Sequence, residues 1–134
     1  MADKLWQRIK QFVPDEFNLA RKYSLNERLR FLRYGPGQEF KTHMDGQYQR
    51  ERGPRVGDRS YVTVQLYLNE GMKGGETTFF ETYADCDNNN GIPVIPKMGS
   101  VLIFQHDILH EGSILKKGIK YVMRTDVMYT QKKD

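Results

Sequence analysis

The chain has 134 residues, a length that sets a prior of about one domain around one core. Lys and Arg number 21 against 17 Asp and Glu, and the net charge of +4 permits an acidic partner without demanding nucleic acid. No apolar stretch approaches the roughly 20 residues that cross a bilayer. Cys86 stands alone and cannot form an internal disulfide, so a soluble, cytoplasmic protein with no membrane partner is expected.

The N-terminal MADKLWQRIKQF scatters its charges and shows no small-residue cleavage site, so it does not read as a secretory signal. Leu5, Ile9 and Phe12 recur at spacings of four and three, which predicts one apolar face of a short helix closed by Pro14. Asn26-Glu27-Arg28 leads into a predicted strand over 30–34, ended by the turn signal Gly35-Pro36-Gly37. Residues 60–69 alternate cleanly, with Val62, Val64, Leu66 and Leu68 on one face and Tyr61, Thr63, Gln65 and Tyr67 on the other. Gly74-Gly75 reads as a tight turn before a strand over 76–81, and ADCDNNNG over 84–91 reads as a loop. Strands are predicted over 100–105, 111–115 and 119–129, with Lys117-Gly118 turning into the last. Many short strands with Gly-rich turns favour a barrel or a two-sheet jelly roll, with the helix against the outside of one sheet. No repeat, low-complexity tract or linker divides the chain, so residues 1–134 are read as a single domain.

His43-Met44-Asp45 is the motif that carries chemistry. In an extended segment side chains alternate with period two, so an H-x-D pair presents imidazole and carboxylate on one face. A third ligand must arrive from elsewhere, and two further histidines, His106 and His110, lie downstream. Two imidazoles and one carboxylate with open positions are the ligand set of non-heme iron(II) in oxygen chemistry. Zinc takes three protein ligands plus water in its catalytic sites and is the other candidate occupant. A lysine after the distal histidine, Lys120, suits the anchoring of an acidic co-substrate beside the metal.

The stretch RYGPGQEFKTHMDGQY, then SYVTVQLYLNEGMKGGETTFF, then KMGSVLIFQHDILHEGSILKKGIKYVMRTDVMY, resembles the prolyl 4-hydroxylase-like branch of the iron(II)/2-oxoglutarate dioxygenases. The resemblance runs in unbroken order over a core of about residues 30–130. It implies a mainly β fold, the double-stranded β-helix: a jelly-roll, cupin-like barrel open at one end. It also implies iron ligands at His43, Asp45 and His110, and a lysine ten positions further on, Lys120, binding the far carboxylate of 2-oxoglutarate. His106 lies 14 positions before Lys120 and fits that spacing less well, so it reads as a histidine near the mouth or a satisfied structural group. Tyr67 and Tyr34 match family positions whose phenols line the co-substrate pocket, and Thr77 and Phe104 are candidates for its floor and wall.

Period two extends these expectations. If Tyr67 points inward, Thr63 and Gln65 line the same cavity; if Lys120 does, Val122, Arg124, Asp126 and Met128 share its face. Arg124 then lies roughly 13 Å along the strand from Lys120, placed to pair with Asp126 or another acid, or to hold a polar group of the substrate. The segment 46–59, GQYQRERGPRVGDR, is long, polar and locally basic, and reads either as a lid or as a solvated loop. Arg50, Gln65 and Arg124 are the candidate substrate contacts.

The resemblance therefore implies an Fe(II)- and 2-oxoglutarate-dependent dioxygenase that consumes O2 and releases succinate, with ascorbate as a further candidate cofactor. Family members that halogenate lack the carboxylate, so Asp45 points to hydroxylation. The expected substrate is a prolyl residue in a peptide or protein; a free amino acid or other small metabolite is the alternative. A non-catalytic cupin-like binding module is a rival from another class, opposed by intact His43, Asp45, His110 and Lys120. A nucleic-acid demethylase of the same superfamily would anchor its co-substrate through an R-x-N-x-T-like pattern that RTDVMY does not match, so no nucleic-acid partner is expected.

Overall fold

The computed structural model describes residues 1–131. It opens with α1 (Ala2–Ile9) and a 3-10 turn (Lys10–Phe12), followed by β1 (Glu16–Phe17), β2 (Ala20–Leu25), β3 (Arg30–Tyr34) and β4 (Phe40–His43). Next come β5 (Arg59–Tyr67), β6 (Lys73–Gly74), β7 (Thr77–Phe80), α2 (Tyr83–Asp87) and β8 (Ile92–Val94). The chain closes with β9 (Val101–Gln105), β10 (Leu109–Gly112), β11 (Leu115–Lys117) and β12 (Lys120–Thr130).

The strands form two principal antiparallel sheets. In the larger, β12 is central: β5 and then β9 lie on one side, and the other side is shared by β2 and β3. The smaller runs β4-β10-β7-β8, and β6 pairs with β11 as a separate ribbon. The two faces of the larger sheet have different tasks. Val62, Val64, Val127 and Tyr129 bury their side chains with Ala20 and Leu25 against Trp6, Ile9 and Val13 of the N-terminal segment. The opposite face, carrying Gln65, Lys120, Val122 and Arg124, shares a cavity with His43, Thr77 and His110 of the smaller sheet. This is the jelly-roll arrangement expected, with its site between the sheets.

An isolated helix of eight residues is marginal in water, and no side chain caps the start of α1. Its stability comes from burying Trp6 and Ile9, each worth roughly 1.5–3 kcal/mol. The expected face of Leu5, Ile9 and Phe12 is corrected at its end, because Phe12 is 68% exposed. The helix tightens into a 3-10 turn after Ile9, which changes the angular step per residue and carries Phe12 off the packed face.

Three further elements differ from expectation. β1 and β2 form a hairpin around Asn18 and Leu19, both at positive φ as a tight two-residue hairpin turn requires. Residues 84–91 are not all loop: Thr82 and Asp85 make a reciprocal capping box that starts α2. The strand predicted over 111–115 is broken in two, with β10 in the smaller sheet and β11 in the ribbon.

Candidate metal centre and co-substrate pocket

His43 and His110 are direct cross-strand partners in the β4–β10 pair, with ring centroids 4.4 Å apart. Asp45 lies just past β4, where its backbone N–H donates to the His106 carbonyl at 2.9 Å. That bond turns the chain so that the Asp45 carboxylate faces both imidazoles. One donor atom from each of His43, Asp45 and His110 lies within 4.8 Å of the others, close enough to converge on a single ion.

Each ligand is held by a second contact. His43 Nδ1 lies 2.6 Å from the Lys41 carbonyl and His110 Nδ1 lies 2.9 Å from the Ile108 carbonyl. A carbonyl can only accept, so both Nδ1 atoms donate, and each neutral ring keeps its lone pair on Nε2. Both Nε2 atoms stand 3.4 Å from Asp45 Oδ1. The other carboxylate oxygen, Oδ2, accepts from Thr63 Oγ1 at 2.6 Å. Phe40 stacks on His43 at 3.9 Å between centroids, and Phe104 meets His110 edge-on at 4.7 Å.

Asp45 Oδ1 is buried and has no well-directed hydrogen bond among the described residues. Arg124 Nη2 lies 2.9 Å away as an ion-pair neighbour without hydrogen-bond geometry. A buried carboxylate oxygen left in this state is costly unless something else meets it. Two imidazole lone pairs aimed at the same space supply the rest of a ligand set, so the residues fit a divalent metal. Burial works to raise the Asp45 pKa, but contact with His110, the Thr63 bond and the Arg124 charge outweigh it and hold the carboxyl well below the usual range. Burial also lowers the His43 pKa, favouring the neutral form that binds a metal.

Along the cavity from the metal ligands lies Lys120, only 3% exposed. Its Nζ donates to the Gly75 carbonyl at 2.8 Å and stands 4.7 Å from the ring centroid of Tyr34, its cross-strand partner. Burial pushes its pKa down to about 8, with Glu76 opposing the shift. Gly75 permits this contact: it has φ +74°, and a Cβ there would lie 3.1 Å from Leu115 and 3.2 Å from the Lys120 stem. Gly112 leaves open the space before the amine, since a Cβ there would come within 3.9 Å of Nζ. A half-satisfied ammonium facing an open cradle suits a carboxylate.

The remaining expected residues divide. Tyr34, Gln65, Thr77 and Arg124 line the cavity with Lys120. Tyr67 is fully buried behind Thr77 and reaches the cavity through a hydroxyl–hydroxyl bond to it, while Gln65 Nε2 donates to the same Thr77 oxygen at 2.9 Å. Phe104 flanks His110. His106 stands outside the ligand set, with Nε2 on Ser60 Oγ and Nδ1 on Thr63 Oγ1, both at 2.8 Å. It is the satisfied structural group. Arg124 pairs with Asp45, not with Asp126. Arg50 does not line the Lys120 cavity; a two-pronged pair with Glu27 and a 3.1 Å bond to Tyr23 hold it.

Sequence reasoning put Thr63 on the cavity face but gave it no part in orienting Asp45; alternation alone does not reveal a hydrogen-bond partner. Phe40, Gly75 and Gly112 carried no signal, because their roles depend on pairing between distant strands.

The family described as the 2OG-Fe(II) oxygenase superfamily matches residues 29–125. Prolyl 4-hydroxylase 2 of Arabidopsis thaliana is 36% identical over 118 residues, covering 71% of this chain and 39% of the plant protein. Probable prolyl 4-hydroxylase 10 of the same plant is 30% identical over 116 residues, with the same coverages of 71% and 39%. The solved collagen prolyl hydroxylase of Paramecium Bursaria Chlorella virus-1, as its 2OG complex, is similar in fold with a TM-score of 0.64. It is 22% identical, over 94% of this chain and 70% of the viral one. The chain thus spans about two fifths of the length of these plant relatives.

Proposed function

The chain belongs to the 2OG-Fe(II) oxygenase superfamily, and on that premise we propose that it hydroxylates a prolyl residue in a peptide or protein. Fe(II) and 2-oxoglutarate are the cofactor and co-substrate that the family implies; O2 as oxidant is part of the proposal, as is ascorbate as an auxiliary. The observation that carries the reading is the shared focus of His43 Nε2, His110 Nε2 and Asp45 Oδ1, with both Nδ1 atoms tied to backbone carbonyls.

His43, Asp45 and His110 would hold the metal. When bound, Fe(II) supplies oxygen activation coupled to decarboxylation of 2-oxoglutarate to succinate. The chain's own work is positioning. Thr63 fixes the Asp45 carboxylate, leaving Oδ1 for the metal. Lys120 offers its ammonium to the far carboxylate of the co-substrate, and the Tyr67–Thr77–Gln65 cluster sets the direction of the Thr77 hydroxyl on the same cavity. Burial of Lys120 keeps water from competing for that carboxylate, which strengthens a charge-assisted bond.

The test supplies the full chain with Fe(II), 2-oxoglutarate, O2 and proline-containing peptides, and measures succinate with peptide mass. Succinate in step with a gain of one oxygen at proline is expected. Succinate coupled to hydroxylation of a free amino acid, with no peptide modified, would replace this reading with the small-metabolite one.

A further inference from the structure

A second hollow opens beside the metal ligands, distinct from the one that holds Lys120. Gly46, next in the chain after Asp45, forms part of it, and Arg124 is common to both hollows. Arg124 is therefore the wall between the two. Arg28 and Arg30 also line this second hollow, with Asp126 as its one acid.

The charges there are unbalanced. Arg124 is committed to Asp45. Arg28 and Arg30 are exposed, and neither has an ion-pair partner among the described residues. Asp126 is mostly shielded, with burial pushing its carboxyl up to about 6 against the opposing charges of Arg124 and Arg30. Two guanidinium groups are thus left lining a groove whose wall, Arg124, contacts the ligand Asp45.

The groove is also long. A further hollow shares Arg28, Gln47 and Tyr48 with it and continues past Arg52. Of the other basic residues there, Arg50 pairs with Glu27 and Arg52 is offset by Glu51 of the same hollow, so the net positive charge lies at the end lined by Arg28 and Arg30. A trough leading away from the metal accommodates an extended chain better than a single amino acid.

We infer that this trough receives an acidic peptide, and that Arg28 and Arg30 bind a carboxylate close to the residue presented to the metal. The inference rests on the hydroxylase reading for what happens at the metal, but the groove's preference for anions does not. Guanidinium groups recognise carboxylates through paired, charge-assisted hydrogen bonds, and Arg28 and Arg30 are specificity-determining residues in this scheme.

The test uses fluorescein-labelled proline peptides of one length, flanked by Glu, Gln or Lys. Anisotropy with the full chain gives Kd, and succinate and peptide mass are followed in parallel. The Glu peptide is expected to bind about tenfold more tightly than the Gln peptide, with the Lys peptide weakest. In Arg28→Gln/Arg30→Gln the preference should shrink to about twofold or less while the thermal melt is unchanged, because both side chains are exposed. Acidic preference lost in the double variant supports the inference even if no proline gains oxygen, an outcome that would remove only the hydroxylase reading. Hydroxylation indifferent to flanking charge, a preference that survives the double variant, or no binding by any peptide would each overturn it.

Discussion

Arg124 Nη2 lies 2.9 Å from Asp45 Oδ1, the oxygen that both metal-facing imidazoles also approach. A guanidinium in that position competes with a divalent cation for the same carboxylate. Arg124→Gln should therefore bind Mn(II) roughly three- to tenfold more tightly, a change of ~0.7–1.4 kcal/mol. The metal-free variant should melt lower, since Asp45 then keeps a buried charge with less compensation. Mn(II) titration by electron paramagnetic resonance, with melts in the presence and absence of metal, checks both. Weaker Mn(II) binding would mean that Arg124 supports the metal.

Removal of any ligand should abolish succinate formation. His43→Ala, Asp45→Ala and His110→Ala are each expected to lose the visible charge-transfer band that forms when Fe(II) and 2-oxoglutarate are added anaerobically. His106→Ala should keep the band but cost about 1–3 kcal/mol of stability, because it strips buried partners from Ser60 and Thr63. A band that survives in His110→Ala and vanishes in His106→Ala would reassign the distal ligand.

Lys120 predicts a pH dependence. The ammonium is the form that attracts a carboxylate, and burial has brought its pKa down to about 8. The charged form dominates below that value and is lost as pH rises through it. Affinity for 2-oxoglutarate should fall above this point, by at most about tenfold per pH unit for a single proton. Lys120→Met should weaken binding at neutral pH by about 1.5–3 kcal/mol and flatten the profile. Calorimetric titration of 2-oxoglutarate across this window decides, and an unchanged slope in Lys120→Met would assign the titration to another group.

Thr77 Oγ1 bonds both the Tyr67 hydroxyl and Gln65 Nε2, whereas Tyr67 is tied to Thr77, so the two sides of this cluster are not equivalent. Tyr67→Phe removes one hydroxyl and leaves Thr77 bonded to Gln65, at a cost of about 0.5–1.5 kcal/mol. Thr77→Val strands the buried Tyr67 hydroxyl as well as Gln65 Nε2 and should cost more, about 1–3 kcal/mol. Urea denaturation of the two variants gives the order, and a larger loss in Tyr67→Phe would contradict it.

The parts of the fold legible from the residues were those governed by local periodicity. Alternation in β5 separated the face that packs under α1, with Val62 and Val64, from the face that carries Thr63 and Gln65. The family resemblance supplied the positions of His43, Asp45, His110 and Lys120, which the structure brings into one cavity region. What stayed hidden depends on non-local pairing or on permissive turn chemistry. The β1–β2 hairpin turns on Asn18-Leu19, without the glycine that usually marks such a turn, and Leu19 takes its positive φ where it is exposed. The partner of Arg124 could not be chosen from its own strand, because Asp126 is two residues away in sequence whereas Asp45 arrives from the end of β4.

The segment 46–59 was open to reading as a lid, yet it is stitched along its length. The Arg50 N–H donates to the Asp58 carbonyl and the Arg50 carbonyl accepts from the Gly57 N–H. At the root, the Ser60 N–H donates to the Tyr48 carbonyl and the Tyr48 N–H to Ser60 Oγ, and Arg55 lies over the Tyr23 ring. A rim held this way is a fixed wall. In the proposed reaction, a substrate seated in the trough would then be what keeps bulk solvent from the metal centre. With that seat vacant, the proposed hydroxylase is expected to waste co-substrate, releasing succinate with no product to match.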